Sequence, residues 1–161
     1  MATLSDYRDL VQIVGVFGLF FGIGQLWLTR RASIGKNTID LINMLQAQHI
    51  RDARTFVIQK LETEKPFPFG DGDAEKAAAT VVASYDIAAI LIREGYVERR
   101  VFTDDFGPSI IKCYDRLQQF IERRQSEAGK RYWNDIGDLF SECKMIHSQQ
   151  GIRSANWTGM A

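Results

Sequence analysis

The sequence predicts an all-α protein: a single N-terminal transmembrane helix followed by a cytoplasmic bundle of about four helices. Three observations carry this expectation. Residues 10–28 form a run of 19 without a charge. Beyond residue 32, apolar side chains recur at the three- and four-residue spacing of amphipathic helices, and no stretch shows the sustained period-two alternation of a half-buried strand. The 161 residues carry 20 Lys+Arg against 20 Asp+Glu, and the mean hydropathy of -0.18 averages one very apolar segment with a polar remainder. Zero net charge gives no electrostatic footprint for nucleic acid. Two cysteines are too few for a disulfide scaffold or an all-cysteine zinc site.

In the uncharged run, 12 of the 19 residues are Leu, Ile, Val or Phe. As a helix it spans roughly 28 Å, close to the hydrocarbon thickness of a bilayer. Its apolar residues favour insertion by about 5 kcal/mol, less the cost of Gln12, Gln25 and the glycines. Leu10, Phe17, Phe20 and Leu28 mark the expected span, and Tyr7, Trp27, Arg30 and Arg31 its interfacial anchors. Asp6, Arg8 and Asp9 precede the run, whereas Arg30, Arg31 and Lys36 follow it. A cleaved secretory signal has the opposite arrangement. The excess of positive charge after the run places the N-terminus outside and the rest in the cytoplasm, as a single-pass protein of the inner (plasma) membrane. Gly15, Gly18 and Gly22 share one helix face, and Gly18-x-x-x-Gly22 suits close packing against another membrane helix.

Residues 34–62 place Ile39, Ile42, Leu45, Ile50, Ala53, Phe56, Val57 and Leu61 on one stripe, read as one long amphipathic helix. Only Gly35 interrupts the stretch joining it to the membrane helix. Lys65-Pro66-Phe67-Pro68-Phe69-Gly70-Asp71-Gly72 ends it, because prolines lack a donor and glycines favour turns. Asp73 is then expected to cap a helix that stops at Gly95 and is apolar nearly all round, apart from Thr80, Ser84, Tyr85 and Asp86. Thr103 is expected to cap a short turn, and Gly107-Pro108 to start a new helix with proline at its first position. That helix buries Ile110, Ile111, Tyr114, Leu117 and Ile121. A break near residues 125–129 separates it from a last helix bearing Tyr132, Ile136, Leu139, Phe140, Cys143 and Ile146, although one long bent helix is the alternative. The organisation is therefore 1–31 as anchor, 32–147 as helical cytoplasmic domain, and 148–161 as a flexible or partner-binding tail in which Trp157 is the candidate contact.

No motif names a reaction, and no catalytic, cofactor or metal residue is assigned. Cys143 and His147 lie four apart, so Cys113 and His49 would be needed to complete a tetrahedral metal set. All four fall on or beside apolar stripes, where a cysteine serves as a small hydrophobe. The same placement gives a Cys–His pair no orienting third group. Asp71-x-Asp73-x-Glu75 lacks the remaining ligands of a cation loop and reads as helix capping. Asp86, on the most apolar helix, needs a partner, with an arginine or His49 expected. The clusters Glu98-Arg99-Arg100, Arg123-Arg124 and Lys130-Arg131 read chiefly as solvated surface, with anionic lipid or an acidic partner as the alternative.

Several short stretches carry a resemblance: Trp27 with Arg30-Arg31, Arg51-x-Ala53-Arg54, residues 90–97 around Glu94-Gly95, Phe106-Gly107-Pro108, Tyr114-x-x-Leu117 and Tyr132-Trp133. On these the chain resembles a bacterial family of unknown function with one N-terminal membrane helix and a cytoplasmic helical domain. The resemblance covers most of the chain. It implies topology and no activity.

The function expected is a non-enzymatic, membrane-anchored interaction protein, an accessory or assembly subunit of a larger inner-membrane complex. Its partners would be membrane lipid and other membrane subunits or a second copy of itself, and no nucleic acid. A homo-oligomeric membrane effector or sensor is the second expectation, and an enzyme with an unrecognised site the third.

Overall fold

The computed structural model describes the backbone of residues 4–61 and 65–158 and the side chains of residues 21–61 and 65–148. Among the described residues there are five helices: α1 (Leu4–Leu45), α2 (Gln48–Lys60), α3 (Gly72–Arg93), α4 (Arg99–Ala128) and α5 (Asp135–Thr158). Among the described residues there is no strand. Helices α2 to α5 form the bundle, and α3 packs against each of the other three.

Helix α1 passes through Gly35 and across residue 31 without a break, and every residue from 21 to 33 is exposed. Contact with the bundle begins at Thr38, the first buried side chain described on α1, and continues at Leu41 and Leu45. The Thr38 hydroxyl donates to the Ile34 carbonyl (2.8 Å) and accepts from the Glu98 N–H (3.0 Å), which ties α1 to the start of α4. Among the described residues no helix is long and apolar enough to cross a membrane. Residues 10–20 of the expected span, with Tyr7, Leu10, Gly15, Phe17, Gly18 and Phe20, lie outside the described side chains.

The single amphipathic helix expected over 34–62 is divided. Helix α1 ends at Leu45, and α2 begins at Gln48 after a two-residue turn. Of the expected stripe, Leu45, Ile50, Ala53, Val57 and Leu61 are buried on either side of the turn, whereas Ile39 is 60% exposed and Leu41, outside that stripe, is buried. Periodicity alone does not register the break because neither Gln46 nor Ala47 is a helix breaker.

The Pro/Gly segment ends α2 as expected, and packing adds to its turn chemistry. Phe67 is buried, its N–H donates to Gln119 Oε1 (2.9 Å), and its ring lies 5.0 Å from that of Phe120. The N-cap of α3 is Asp71 rather than Asp73: its carboxylate accepts from the N–H groups of Asp73 (3.0 Å) and Ala74 (3.3 Å). Glu75 reaches back to the Gly70 N–H (2.9 Å). The Asp71–Glu75 acids are thus a helix start. At the other end, Gly95 (φ +73°) lets Tyr96 N–H reach the Leu91 carbonyl (2.9 Å) and Gly95 N–H the Ile92 carbonyl (3.1 Å), a Schellman closure that favours glycine.

Gly107-Pro108 does not start a helix, and Thr103 caps no turn. Both lie inside α4, which begins eight residues earlier at Arg99. Pro108 has no N–H for the Asp104 carbonyl, a loss of about 3 kcal/mol in an isolated helix. The stripe Phe102, Phe106, Ile110, Cys113, Leu117 is buried across the proline, and that burial outweighs one missing hydrogen bond. Helix α4 then stops at Gly129 (φ +104°), so the last two helices are separate, as the break near 125–129 suggested. Trp133 is the one non-glycine residue in the left-handed region among those described (φ 53°), with its ring against Tyr132 (4.4 Å) and Phe120 (5.8 Å). Helix α5 continues to Thr158, into the segment read as a tail, and Trp157 lies outside the described side chains.

At Gly107 the α4 backbone lies against side chains of α5, for a Cβ there would collide with His147 Nε2. Gly107→Ala should therefore lower unfolding stability by about 1–2 kcal/mol, although alanine in a helix interior ordinarily gains about 1 kcal/mol over glycine. In a His147→Ala background the same change should stabilise. Chemical denaturation of the four variants measures both, and an equal effect in the two backgrounds would refute the contact.

Candidate functional site

The titratable residues singled out in the sequence do not gather. His49 lies exposed on α2, beside a groove of about 330 Å³ lined also by Asp52, Phe56, Asp73, Lys76 and Thr80. Cys143 and His147 do sit together, both facing Gly107 of α4. His147 Nε2 is buried without a hydrogen-bond partner. Cys113 belongs to a different cluster, and among the described residues no three His, Cys, Asp or Glu side chains are arranged to hold a metal ion.

That second cluster is a polar node in the core that the sequence reading missed. The Tyr85 hydroxyl of α3 is 2.9 Å from Ser109 Oγ of α4, with Cys113 one turn beyond. The Arg54 guanidinium of α2 lies 5.5 Å from the Phe106 ring and near both Tyr85 and Cys113. Burial raises the Tyr85 hydroxyl, and the neighbouring Cys113 adds to the rise, while Ser109 and Arg54 oppose it. Burial likewise pushes the Cys113 thiol up to about 11 despite Ser109, Arg54 and Arg116, and pushes Cys143 up to about 11, with Glu142 adding to it. A nucleophilic or metal-binding cysteine is shifted the other way. The node therefore joins α2, α3 and α4 with satisfied polar groups. The only sequence signal for it was the presence of Tyr85 and Ser109 on otherwise apolar stripes.

Asp86 is paired with a backbone group rather than with His49, and the expected arginine, Arg93, acts on it through its charge and not through a hydrogen bond. Its carboxylate accepts from the Ile136 N–H (3.1 Å) in the first turn of α5. Partial burial raises its pKa, the Ile136 N–H draws it back, and Asp135 pushes it up again. A side chain of α3 thus closes the N-terminus of α5, where the helix dipole also favours a negative charge. Arg93 of α3 pairs with Asp135 at the same end. At the end of α2, Arg116 Nε of α4 donates to the Leu61 carbonyl (2.9 Å). The arginine clusters are surface pairs: Arg99–Glu142 (3.0 Å), Arg123–Glu127 (3.0 Å) and Arg124–Glu75 (3.4 Å).

The feature that stands out is on α1. Phe21 (71% exposed), Ile23 (56%), Leu26 (73%), Trp27 (59%) and Leu28 (61%) form a continuous apolar surface with no bundle helix over it. The Arg31 guanidinium lies over the Trp27 ring at 5.4 Å. A Cβ at Gly22 or Gly24 would meet nothing within 4 Å. A run of large exposed apolar side chains on one helix marks an interaction surface rather than ordinary surface composition.

Fold and site together define a class: an all-helical bundle carried on an apolar helix that leaves its core. The chain belongs to the DUF4760 family, a domain of unknown function whose model matches residues 10–142. The match begins where the uncharged run begins, so the family domain includes the apolar half of α1 together with most of the bundle. No curated protein and no solved structure matches the chain.

Three outcomes are expected. Asp86→Ala, which leaves the Ile136 N–H without an acceptor, should cost about 1 kcal/mol. Asp86→Asn keeps an acceptor oxygen and removes the charge. Because the folded-state pKa of Asp86 lies above its unfolded value, its stabilising contribution is complete below the unfolded value and is lost as pH rises through the folded one. Asp86→Asn should thus gain on the wild type as denaturation is repeated from pH 4 upward, and a gain in the opposite direction would overturn the assignment. Separately, Cys113 and Cys143 should resist maleimide at neutral pH until the protein unfolds, as read by mass spectrometry.

Proposed function

We propose that the protein is a non-enzymatic, single-span protein of the bacterial inner membrane. Its helical domain lies on the cytoplasmic side and docks on, or helps assemble, a larger membrane complex. The observation that carries the reading is the exposed apolar surface of α1. Phe21, Leu26, Ile23, Trp27 and Leu28 project at roughly 0°, 140°, 200°, 240° and 340° around the axis, at about 100° per residue. A helix lying along the bilayer surface keeps one polar face. One that is apolar all round suits a crossing.

The same direction is favoured by the uncharged residues 10–28 and by the cations that follow them, Arg30, Arg31 and Lys36, which by the positive-inside rule retain the bundle in the cytoplasm. The bacterial setting rests on the resemblance in the sequence. The interaction role rests on the character of the bundle: its polar groups close helix ends, and its buried thiols are held protonated. Self-association through Gly18 and Gly22 is the second reading, favoured by the open space beside Gly22.

Extraction decides the anchor: the full chain should stay with membranes in alkaline carbonate and leave with mild detergent, while Phe20→Asp with Ile23→Asp should shift it to the soluble fraction. Release of the wild type by carbonate alone would refute the span. In detergent, a mass set by a second protein supports the accessory role. A homo-oligomer that Gly18→Ile with Gly22→Ile dissociates supports the second reading instead.

A further inference from the structure

The groove beside His49 runs between α2 and α3 and holds about 330 Å³. Its lining falls at i, i+3, i+4 and i+7 on both helices: positions 49, 52, 53 and 56 on α2, and 73, 76, 77 and 80 on α3. Two such rows make the valley into which a further helix packs. Ala53 and Ala77 are both buried and form its floor, so a covering helix can come close, and the half-buried Phe56 ring is its apolar wall. On α3 the same face continues past Thr80 to Ile87, seven residues on and 47% exposed. The middle of each row carries a charge, Asp52 on α2 and Lys76 on α3. Both are exposed, and among the described residues neither makes an ion pair: Asp52 accepts from Gln48 Nε2 (2.8 Å) within its own helix. His49 and Asp73 stand exposed at the row ends.

We infer that this groove is a two-fold interface and that its occupant is a second copy of the chain. The charges on its two rims carry the choice. Across a two-fold axis, a residue that meets another is met by that same residue in return. An axis along the groove lays α2 of one copy on α3 of the other, so Asp52 of each copy meets Lys76 of the other and both charges are paired twice over. An axis across the groove would instead lay α2 on α2 and α3 on α3, setting Asp52 against Asp52 and Lys76 against Lys76, which like-charge repulsion opposes. A partner of one charge sign would satisfy one rim and be repelled by the other. Asp73 and His49 stay at the wet ends of the rows, where an unpaired charge costs little. The apolar gain is the cover given to Phe56 in both copies, over alanines that let the helices approach. This surface is separate from the Gly18–Gly22 face of α1, so the inference stands without the span.

The test uses the full chain in mild detergent, with its mass followed by light scattering over a dilution series. The wild type should be a dimer at the concentrated end. Lys76→Glu and Asp52→Lys should each weaken self-association about ten-fold or more, because each sets like charges against one another. Both side chains are exposed, so neither change disturbs the core. Lys76→Glu combined with Asp52→Lys restores both pairs with their signs exchanged, and the dimer should return to within about three-fold of the wild type. Gly18→Ile with Gly22→Ile should leave it unchanged. A wild type that is monomeric throughout overturns the inference. So does a double variant no stronger than the single ones, or a dimer that only the Gly18 and Gly22 changes dissociate. A mass set by a different protein, released by Lys76→Glu, overturns the second copy as the occupant.

Discussion

Helix α3 has to be covered over most of its surface, and the bundle is the solution to that requirement. Ala74, Ala77, Ala78, Val81, Val82, Ser84, Tyr85, Ala88, Ala89 and Ile92 are all buried, which leaves only a narrow face to meet water. One partner helix covers only a stripe. Here α2, α4 and α5 cover these residues, and the side of α3 that carries Asp73, Lys76 and Ile87 stays open. Other contacts in the domain are conditions for this enclosure: α2 must turn back after Leu45 to reach α3, and α4 must run through Pro108 to stay against it.

The polar side chains in and around this core act mainly at helix ends. Asp86 closes the start of α5, Arg116 the end of α2, and Thr38 accepts the N–H that precedes α4. Helix ends leave backbone groups without intrahelical partners, and burying them unpaired is costly. Supplying the partner from a different helix satisfies the group and fixes how two elements meet. The Thr38 joint couples the bundle to a helix whose other half carries the exposed apolar surface.

Much of the fold was legible in the sequence. The Pro/Gly segment after α2, the stop at Gly95 and the break before α5 are local backbone chemistry, visible in the residues themselves. The readings that failed were those in which a local signal met a tertiary one. Gly107-Pro108 resembles a helix start, but the apolar stripe on both sides of it buries as one surface, and the His147 ring occupies the space beside Gly107. Asp73 and Asp71 are equally good caps by type, and only the backbone geometry selects Asp71. The short stretches that carried the family resemblance include several of these joints: Arg54 lies over Phe106, Tyr114 stacks on Phe140 at 4.2 Å, and Trp133 closes over Phe120.

By itself the sequence determined the helical class, the position of the uncharged segment and the asymmetry of charge around it, because these follow from periodicity and composition along the chain. Only the tertiary structure decided which polar groups are partners. Asp86 meets a backbone N–H fifty residues away, Arg54 joins a node with Tyr85 and Cys113, and the Glu98 N–H meets the Thr38 hydroxyl sixty residues away. Pairing across that separation is set by how helices enclose α3, and helix periodicity does not encode it: a stripe states which face is buried, and packing alone states against what.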